Sequence, residues 1–116
     1  KNEMIVNSGG ENIAPEPIED LFLKYNEIDQ IMIYGHQKPY LVALVYPSEI
    51  IGRNRKLTQK IFDKVNSNLN SIKKVKRFYL IKSPFSIENS ELTPTLKIKR
   101  RIVEKNYFNE LSSLYN

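Results

Sequence analysis

The apolar run YLVALVYP at residues 40–47 constrains the fold more than any other segment. Its β-branched and aromatic residues favour a strand, and its nearly continuous apolar character is typical of a strand that is covered on both faces or central in its sheet. The preceding run IDQIMIYG at residues 28–35 has a similar composition, and only the short connector 36–39 separates the two. The two runs therefore predict an antiparallel hairpin.

The rest of the chain predicts strands and helices around this hairpin. Apolar residues recur at helical spacing in three segments, and paired glycines in NSGGEN, residues 7–12, favour a tight turn after a short first strand. Thr58 is the predicted N-cap of the middle helix. The predicted elements in chain order are a strand over 4–6, a helix over 14–26, the hairpin, a helix over 59–70, a strand over 75–82 and a closing helix over 97–114.

These elements predict one α+β domain over residues 1–116, a length typical of a single domain. We expect a small, three-stranded, mainly antiparallel sheet with flanking helices, plus a short N-terminal β-hairpin. In the last strand, Phe78 and Leu80 are expected on one face, with Tyr79 and Ile81 on the other. The predicted buried residues of the three helices are Ile18, Leu21, Phe22 and Tyr25, then Ile61, Phe62, Val65 and Leu69, then Ile98, Ile102, Phe108 and Leu111.

Composition excludes several kinds of site. The chain has no cysteine and one histidine, which argues against a thiol nucleophile, a disulfide and a zinc site. His36, in the predicted hairpin turn, is expected to be exposed. Glu16, Glu19 and Asp20 fall in the first turn of a predicted helix, where complementing the helix dipole is a simpler interpretation than a catalytic carboxylate pair.

Charge is distributed unevenly along the chain. Residues 1–50 hold three basic and eight acidic side chains, whereas residues 51–116 hold fifteen basic and five acidic ones. A basic half is compatible with a nucleic acid, a phosphate-bearing ligand or a membrane surface, although solvated lysines are the simpler interpretation. The aromatic signature of RNA-recognition strands does not occur, which argues against a nucleic-acid-binding module.

Four strings, in order, resemble motifs of the C-terminal domain of adenylate-forming enzymes, the superfamily of acyl-CoA synthetases, peptide-synthetase adenylation domains and firefly luciferase. The pairing of the first string with the last looks like the long-chain fatty acid–CoA ligase branch, because most other branches carry a Pro-x-Gly-Lys form of the last motif. The strings are KNEMIVNSGGENIAPEPIE at 1–19, DQIMIYGHQKPYLVALVYPS at 29–48, KVKRFYLI at 74–81 and LTPTLKIKRR at 92–101.

The resemblance implies a two-step reaction. A fatty acid carboxylate attacks the α-phosphorus of Mg²⁺-bound ATP to give an acyl-adenylate and pyrophosphate, and the coenzyme A thiol then displaces AMP. The resemblance also implies that the chain is a mobile lid and a fragment of a larger enzyme, inactive by itself, whose N-terminal domain holds most ATP and acyl contacts. Aryl or medium-chain ligases, and ligases that acylate a carrier protein, remain alternatives. A cytoplasmic enzyme is implied, with peripheral association with the inner membrane face as a further expectation.

Lys97 matches the catalytic lysine of the family. As the carboxylate and the triphosphate approach each other, a positioned ammonium stabilises the charge that develops on the phosphoryl oxygens. Lys99 is a rival, two positions along. Leu96 stands where relatives carry glycine. Lys99, Arg100 and Arg101 either contact the phosphates of coenzyme A or form a solvated helix turn.

A second group of residues matches the loop and the hinge that the resemblance assigns to the thioester-forming step. The glycine loop is expected to line the pantetheine tunnel, where a narrow channel leaves no room for a Cβ. The residues of this loop are Ser8, Gly9, Gly10 and Glu11. The domain hinge is expected at Asn2, with Glu3 beside it.

Overall fold

The computed structural model describes residues 3–116, and its elements follow the predicted order. One short 3₁₀ helix, Ser71–Lys73, precedes the last strand. The strands are β1 Ile5–Val6, β2 Asn12–Ile13, β3 Ile28–Tyr34, β4 Leu41–Pro47 and β5 Val75–Leu80. The helices are α1 Pro15–Leu23, α2 Arg55–Asn66, α3 Arg100–Asn106 and α4 Phe108–Ser113.

The strands form two sheets. Strands β1 and β2 pair antiparallel as the short N-terminal hairpin, and β3, β4 and β5 form the main sheet with β4 at its centre. Strand β3 is antiparallel to β4, whereas β5 is parallel to it. The sheet is therefore mixed, because the crossover through α2 brings the chain back in the direction of β4. The α+β class and the three-stranded sheet are confirmed.

Strand β4 is buried on both faces, as its continuous apolar sequence predicts. Leu41, Ala43 and Val45 face a core that is closed by α1 and α2, while Val42 and Leu44 face a second core with residues of α3 and α4. Strand β5 alternates as predicted: the first core also contains Phe78 and Leu80, and the second contains Tyr79 and Ile81. Both cores thus share the central strand.

Helix α2 begins earlier than predicted, and Thr58 is not its N-cap. The helix starts at Arg55, and the side-chain oxygen of Asn54 accepts a hydrogen bond of 3.1 Å from the amide of Leu57. Thr58 is fully buried in the first turn, where its hydroxyl donates to the carbonyl of Asn54 at 3.0 Å. Asparagine captures an otherwise unpaired amide of the first turn, which fixes the start of the helix.

The closing helix is divided into two and begins later than predicted. Helix α3 starts at Arg100 because the preceding residues form an antiparallel bridge between Leu92 and Ile98. The chain leaves the helical conformation at Tyr107, whose φ is −113°, so the helical periodicity does not continue into α4. Phe108, predicted as a core residue, is therefore 67% exposed, and Val103 is fully buried instead.

Candidate functional site

Lys97 lies in a turn that the backbone holds rigidly. The bridge between Leu92 and Ile98 closes the turn. Within it, the amide of Thr93 donates to the carbonyl of Lys97 at 2.8 Å, and the amide of Lys97 donates to the Thr93 hydroxyl at 3.0 Å. The side chain of Lys97 is exposed. The turn therefore presents an ammonium group to solvent from a well-defined backbone.

The residue before Lys97 has an unusual backbone conformation. Leu96 has a φ of +69°, in the left-handed region that favours glycine. Its side chain is 66% exposed, so burial contributes little to offset the strain. The resemblance predicts glycine at this position. Leu96 replaces it, but the backbone still has the left-handed conformation that glycine adopts most easily.

We expect Leu96→Gly to raise the free energy of unfolding by up to about 1 kcal/mol. A left-handed leucine costs about 1–2 kcal/mol, and the greater freedom of glycine in the unfolded chain offsets only part of that gain. Chemical denaturation measures the difference. Ile87→Gly is the matched control, since Ile87 is 47% exposed and its φ is not in the left-handed region; it should lower stability. A loss of stability in Leu96→Gly as large as in the control contradicts the strain argument.

A buried ion pair lies just beyond the lysine turn. The two terminal nitrogens of Arg100 donate to the two carboxylate oxygens of Glu19, both at 2.7 Å. The side chains of Arg100 and Glu19 are only 10% and 6% exposed. Oε2 of Glu19 also accepts a hydrogen bond of 2.8 Å from the amide of Ile33 in β3. The dipole interpretation is therefore wrong for Glu19, which connects α1, β3 and the first residue of α3.

The electrostatics of the pair favour its charged form. Burial by itself lowers the pKa of Arg100, but the hydrogen bonds and the charge of Glu19 outweigh burial and raise that pKa above its usual value. Glu3 adds a longer contact, 3.8 Å from Nε of Arg100, with a side chain that is 57% exposed. An exposed contact of this length contributes little to stability. Arg100 is thus held mainly by Glu19.

The three basic residues after Lys97 have different surroundings. Lys99 and Arg101 are exposed, whereas the guanidinium of Arg100 is already bound by Glu19. The backbone amide of Lys99 donates to the carbonyl of Glu91 at 2.8 Å. A phosphate that bound Arg100 would have to compete with a bidentate carboxylate, so Lys99 and Arg101 are the better placed of the predicted phosphate contacts.

A mixed-charge cleft of about 520 Å³ lies on the side of Arg101, and its lining includes Glu3, His36, Arg101 and Glu104. Burial, reinforced by the charge of Glu3, raises the pKa of the Glu104 carboxyl above its usual value. His36 lies in the β3–β4 turn and is exposed, as predicted. Among residues 3–116, no cluster of acidic, histidine or cysteine side chains has the arrangement of a metal site.

The glycine loop is organised by one asparagine. The side-chain oxygen of Asn7 accepts hydrogen bonds from the amides of Gly9 at 3.1 Å and Glu11 at 2.8 Å, and its side-chain nitrogen donates to the Glu11 carboxylate at 2.9 Å. Gly10 has a φ of +81°, which a residue with a Cβ rarely adopts. A Cβ on Gly9 would meet no atom closer than 3.6 Å among its neighbours.

The glycine loop packs beside the β3–β4 turn rather than beside Lys97. The amide of Ser8 donates to the carbonyl of Lys38 at 3.0 Å. Glu3, Lys97 and Arg100, by contrast, line one cleft of about 360 Å³ together with Glu19. The predicted site residues therefore form two groups. Asn2, the predicted hinge, lies outside the described residues.

The sequence patterns do not assign three residues of the site the contacts that they make. Glu19 lies one helical turn from the buried residues Pro15 and Phe22 in α1, and that position is the available signal that it is buried. Asn7 immediately precedes the glycine loop, where asparagine often bonds the backbone two residues on. Glu91 is 3% exposed and accepts a hydrogen bond of 2.9 Å from Asn106, which ties the segment before the lysine turn to α3.

The chain is similar in sequence to known long-chain-fatty-acid–CoA ligases. The chain is 27% identical, over 138 aligned residues, to long-chain-fatty-acid–CoA ligase FadD15 of Mycobacterium tuberculosis, with 100% of this chain and 23% of that protein covered. It is 28% identical to long-chain-fatty-acid–CoA ligase 6 of Rattus norvegicus, with 92% of this chain and 19% of that protein covered. The chain thus spans less than a quarter of the length of these relatives.

A solved structure shares the fold. The A-PCP didomain of carboxylic acid reductase from Segniliparus rugosus, in complex with AMP, matches with a TM-score of 0.83 and 29% identity, covering 99% of this chain and 17% of that one. No helix among residues 3–116 is long and apolar enough to cross a membrane. The family described as AMP-binding enzyme C-terminal domain matches residues 2–116. The chain therefore belongs to the C-terminal domain family of AMP-binding enzymes.

Proposed function

We propose that this chain is the mobile C-terminal domain of an ATP-dependent long-chain fatty acid–CoA ligase. The observation that carries the proposal is the exposed Lys97 on a backbone-fixed turn, in a domain whose curated relatives include long-chain-fatty-acid–CoA ligases. The rest of the enzyme, which corresponds to most of the length of those relatives, is the partner that holds ATP, Mg²⁺ and the fatty acid.

In the first step, Lys97 acts as an electrostatic catalyst. The fatty acid carboxylate and the α-phosphate of ATP are both anionic, and charge builds on the phosphoryl oxygens as the new bond forms. The exposed ammonium of Lys97 enters the site from the turn and stabilises that charge, without accepting or donating a proton. In this proposal Mg²⁺ binds together with ATP, mainly in the rest of the enzyme.

In the second step, a different part of the domain faces the acyl-adenylate. Rotation about the hinge at Asn2 and Glu3 brings the loop of Ser8, Gly9, Gly10 and Glu11 to the entry path of the pantetheine thiol. The thiol attacks the acyl carbon and AMP leaves with the bonding electrons. Lys99 and Arg101, both exposed, contact the phosphates of coenzyme A. Separation of Lys97 and the glycine loop into two groups supports this division of labour between the steps.

Turnover by the full-length protein tests the proposal. Incubation with ATP, Mg²⁺, coenzyme A and a series of fatty acids is expected to give AMP, pyrophosphate and an acyl-CoA, with long-chain acids preferred. The 116-residue chain alone is the control, and we expect it to form no acyl-CoA because most substrate contacts are outside it. Acyl-CoA synthesis by the chain alone, or no adenylate formation from any carboxylic acid by the full-length protein, contradicts the proposal.

One observation favours a second candidate, a ligase that acylates a carrier protein. The solved structure with a TM-score of 0.83 contains the A-PCP didomain of a carboxylic acid reductase. The same turnover experiment distinguishes the two candidates when coenzyme A is replaced by a carrier protein that bears a phosphopantetheine thiol. Faster acyl transfer to the carrier protein than to coenzyme A favours the second candidate.

A further inference from the structure

We infer that the buried pair of Glu19 and Arg100 positions Lys97 for adenylate formation, so that Arg100 is a positioning residue rather than a ligand of coenzyme A. The inference rests on the proposed function, because it assigns the pair to the step in which Lys97 acts. It concerns two residues that are 81 positions apart in the chain and meet through two hydrogen bonds of 2.7 Å.

The backbone around Lys97 has two separate attachments. The bridge between Leu92 and Ile98 closes the turn. Beyond the bridge, Arg100 follows Lys97 by three residues and is bound by Glu19, which also accepts a hydrogen bond of 2.8 Å from the amide of Ile33. Ile33 belongs to β3, which pairs with the central strand of the sheet. Lys97 is thus connected to the main sheet through Arg100 and Glu19, whose side chains are both held by hydrogen bonds.

The geometry of the pair restrains orientation as well as distance. A guanidinium that binds a carboxylate through two parallel hydrogen bonds has a defined plane, which a single contact from an ammonium does not provide. Since Arg100 is the first residue of α3, the pair also restrains the position of this end of α3 relative to α1 and β3. Loss of the pair leaves restraints within the segment 91–99, namely the bridge and the hydrogen bonds of Thr93 with Lys97 and of Lys99 with Glu91.

Position matters strongly for the proposed role of Lys97. A misplacement of about 1 Å at a reacting centre lowers rates by as much as about 100-fold. A charge that is carried on a flexible side chain depends on its backbone for this precision. Arg100 therefore affects the first step although it touches neither substrate.

Half-reactions of the full-length enzyme test the inference. Arg100→Lys keeps the positive charge but loses the bidentate contact, and the double variant Glu19→Gln with Arg100→Gln removes both charges without leaving a buried charge unpaired. ATP–pyrophosphate exchange reports adenylate formation, and acyl-CoA formation from supplied acyl-adenylate reports the second step. We expect both variants to lower the first rate by about 10- to 100-fold and to leave the second within about twofold.

Lys105→Gln is the matched control, because it removes one positive charge from the exposed side of the same helix. It should leave both half-reactions unchanged. Circular dichroism melts of each variant check that the domain stays folded at the assay temperature. The retained second step is itself evidence of a folded domain, and a merely structural role of the pair does not produce a loss confined to the first step.

Two results overturn the inference: an equal loss of both half-reactions, or normal pyrophosphate exchange in both pair variants. Lys97→Ala, assayed in parallel, separates these from a failure of the proposed function. If Lys97→Ala loses pyrophosphate exchange and the pair variants do not, only the positioning role is wrong. If Lys97→Ala retains pyrophosphate exchange, the proposed role of Lys97 is wrong, and the positioning role fails with it.

Discussion

Replacement of Lys97 by alanine is expected to lower the rate of acyl-adenylate formation by about 10²- to 10³-fold in the full-length enzyme. Loss of one preorganised charge at a developing oxyanion costs about 3–4 kcal/mol, which corresponds to that change in rate. The rate of acyl-CoA formation from supplied acyl-adenylate should remain close to that of the wild type, since the proposed function gives the lysine turn no part in the second step. Pyrophosphate exchange and a single-turnover thioester assay measure the two rates.

The exposed position of Lys97 makes this variant easy to interpret. Its side chain has no hydrogen-bond partner among residues 3–116 and is solvated, so truncation leaves no buried group unpaired and should not unfold the domain. Lys105→Ala provides a control of equal charge change. An equal loss of both half-reactions in Lys97→Ala is the result that contradicts the assigned role.

The glycine loop is expected to give the opposite pattern. Gly9→Val should lower the second half-reaction by about 10-fold or more while adenylate formation stays within about twofold, because added side-chain volume in a narrow thiol path displaces the reacting group. Within the domain a Cβ at Gly9 has space, with Asn7 and Glu11 atoms no closer than 3.6 Å. Gly9→Ala therefore leaves the loop unstrained, and a thermal melt checks that Gly9→Val is folded at the assay temperature.

A graded series makes the Gly9 result decisive. Gly9→Ala adds less volume and should give a smaller loss than Gly9→Val in the second step. Gly10→Ala is not equivalent, since Gly10 has a φ of +81° and any side chain there strains the loop. Unchanged acyl transfer in Gly9→Val, measured from supplied acyl-adenylate over a range of coenzyme A concentrations, contradicts the assignment of this loop to the tunnel.

Much of the fold is predictable because the spacing of apolar residues along the chain shows which positions are buried. The continuous apolar run of β4 indicates two covered faces, and the alternation in β5 indicates which residues face each core. These features depend only on the period of the strand and on which residues avoid water. The family motifs likewise identify Lys97 and the glycine loop, whose catalytic roles stay predictions.

What could not be predicted depends on specific pairing. Arg100 and Glu19 are separated by three strands, helix α2 and the 3₁₀ helix, and nothing in a run of basic residues distinguishes the one that has a buried partner. The start of α2 at Arg55 depends on one hydrogen bond to the side chain of Asn54. Asparagine and threonine both favour the N-cap position, so residue type alone does not decide between Asn54 and Thr58. The break at Tyr107 is a local backbone change that an apolar periodicity does not reveal.

The shared central strand has a mechanical consequence. Because β4 belongs to both cores, the elements that cover the two faces of the main sheet pack against the same strand. The lysine turn is attached to the second core through Ile98, and the glycine loop is bonded to the β3–β4 turn through Ser8 and Lys38. Both are therefore attached to one sheet, and if the domain rotates as we propose, one angle at the hinge decides which of the two reaches the substrate.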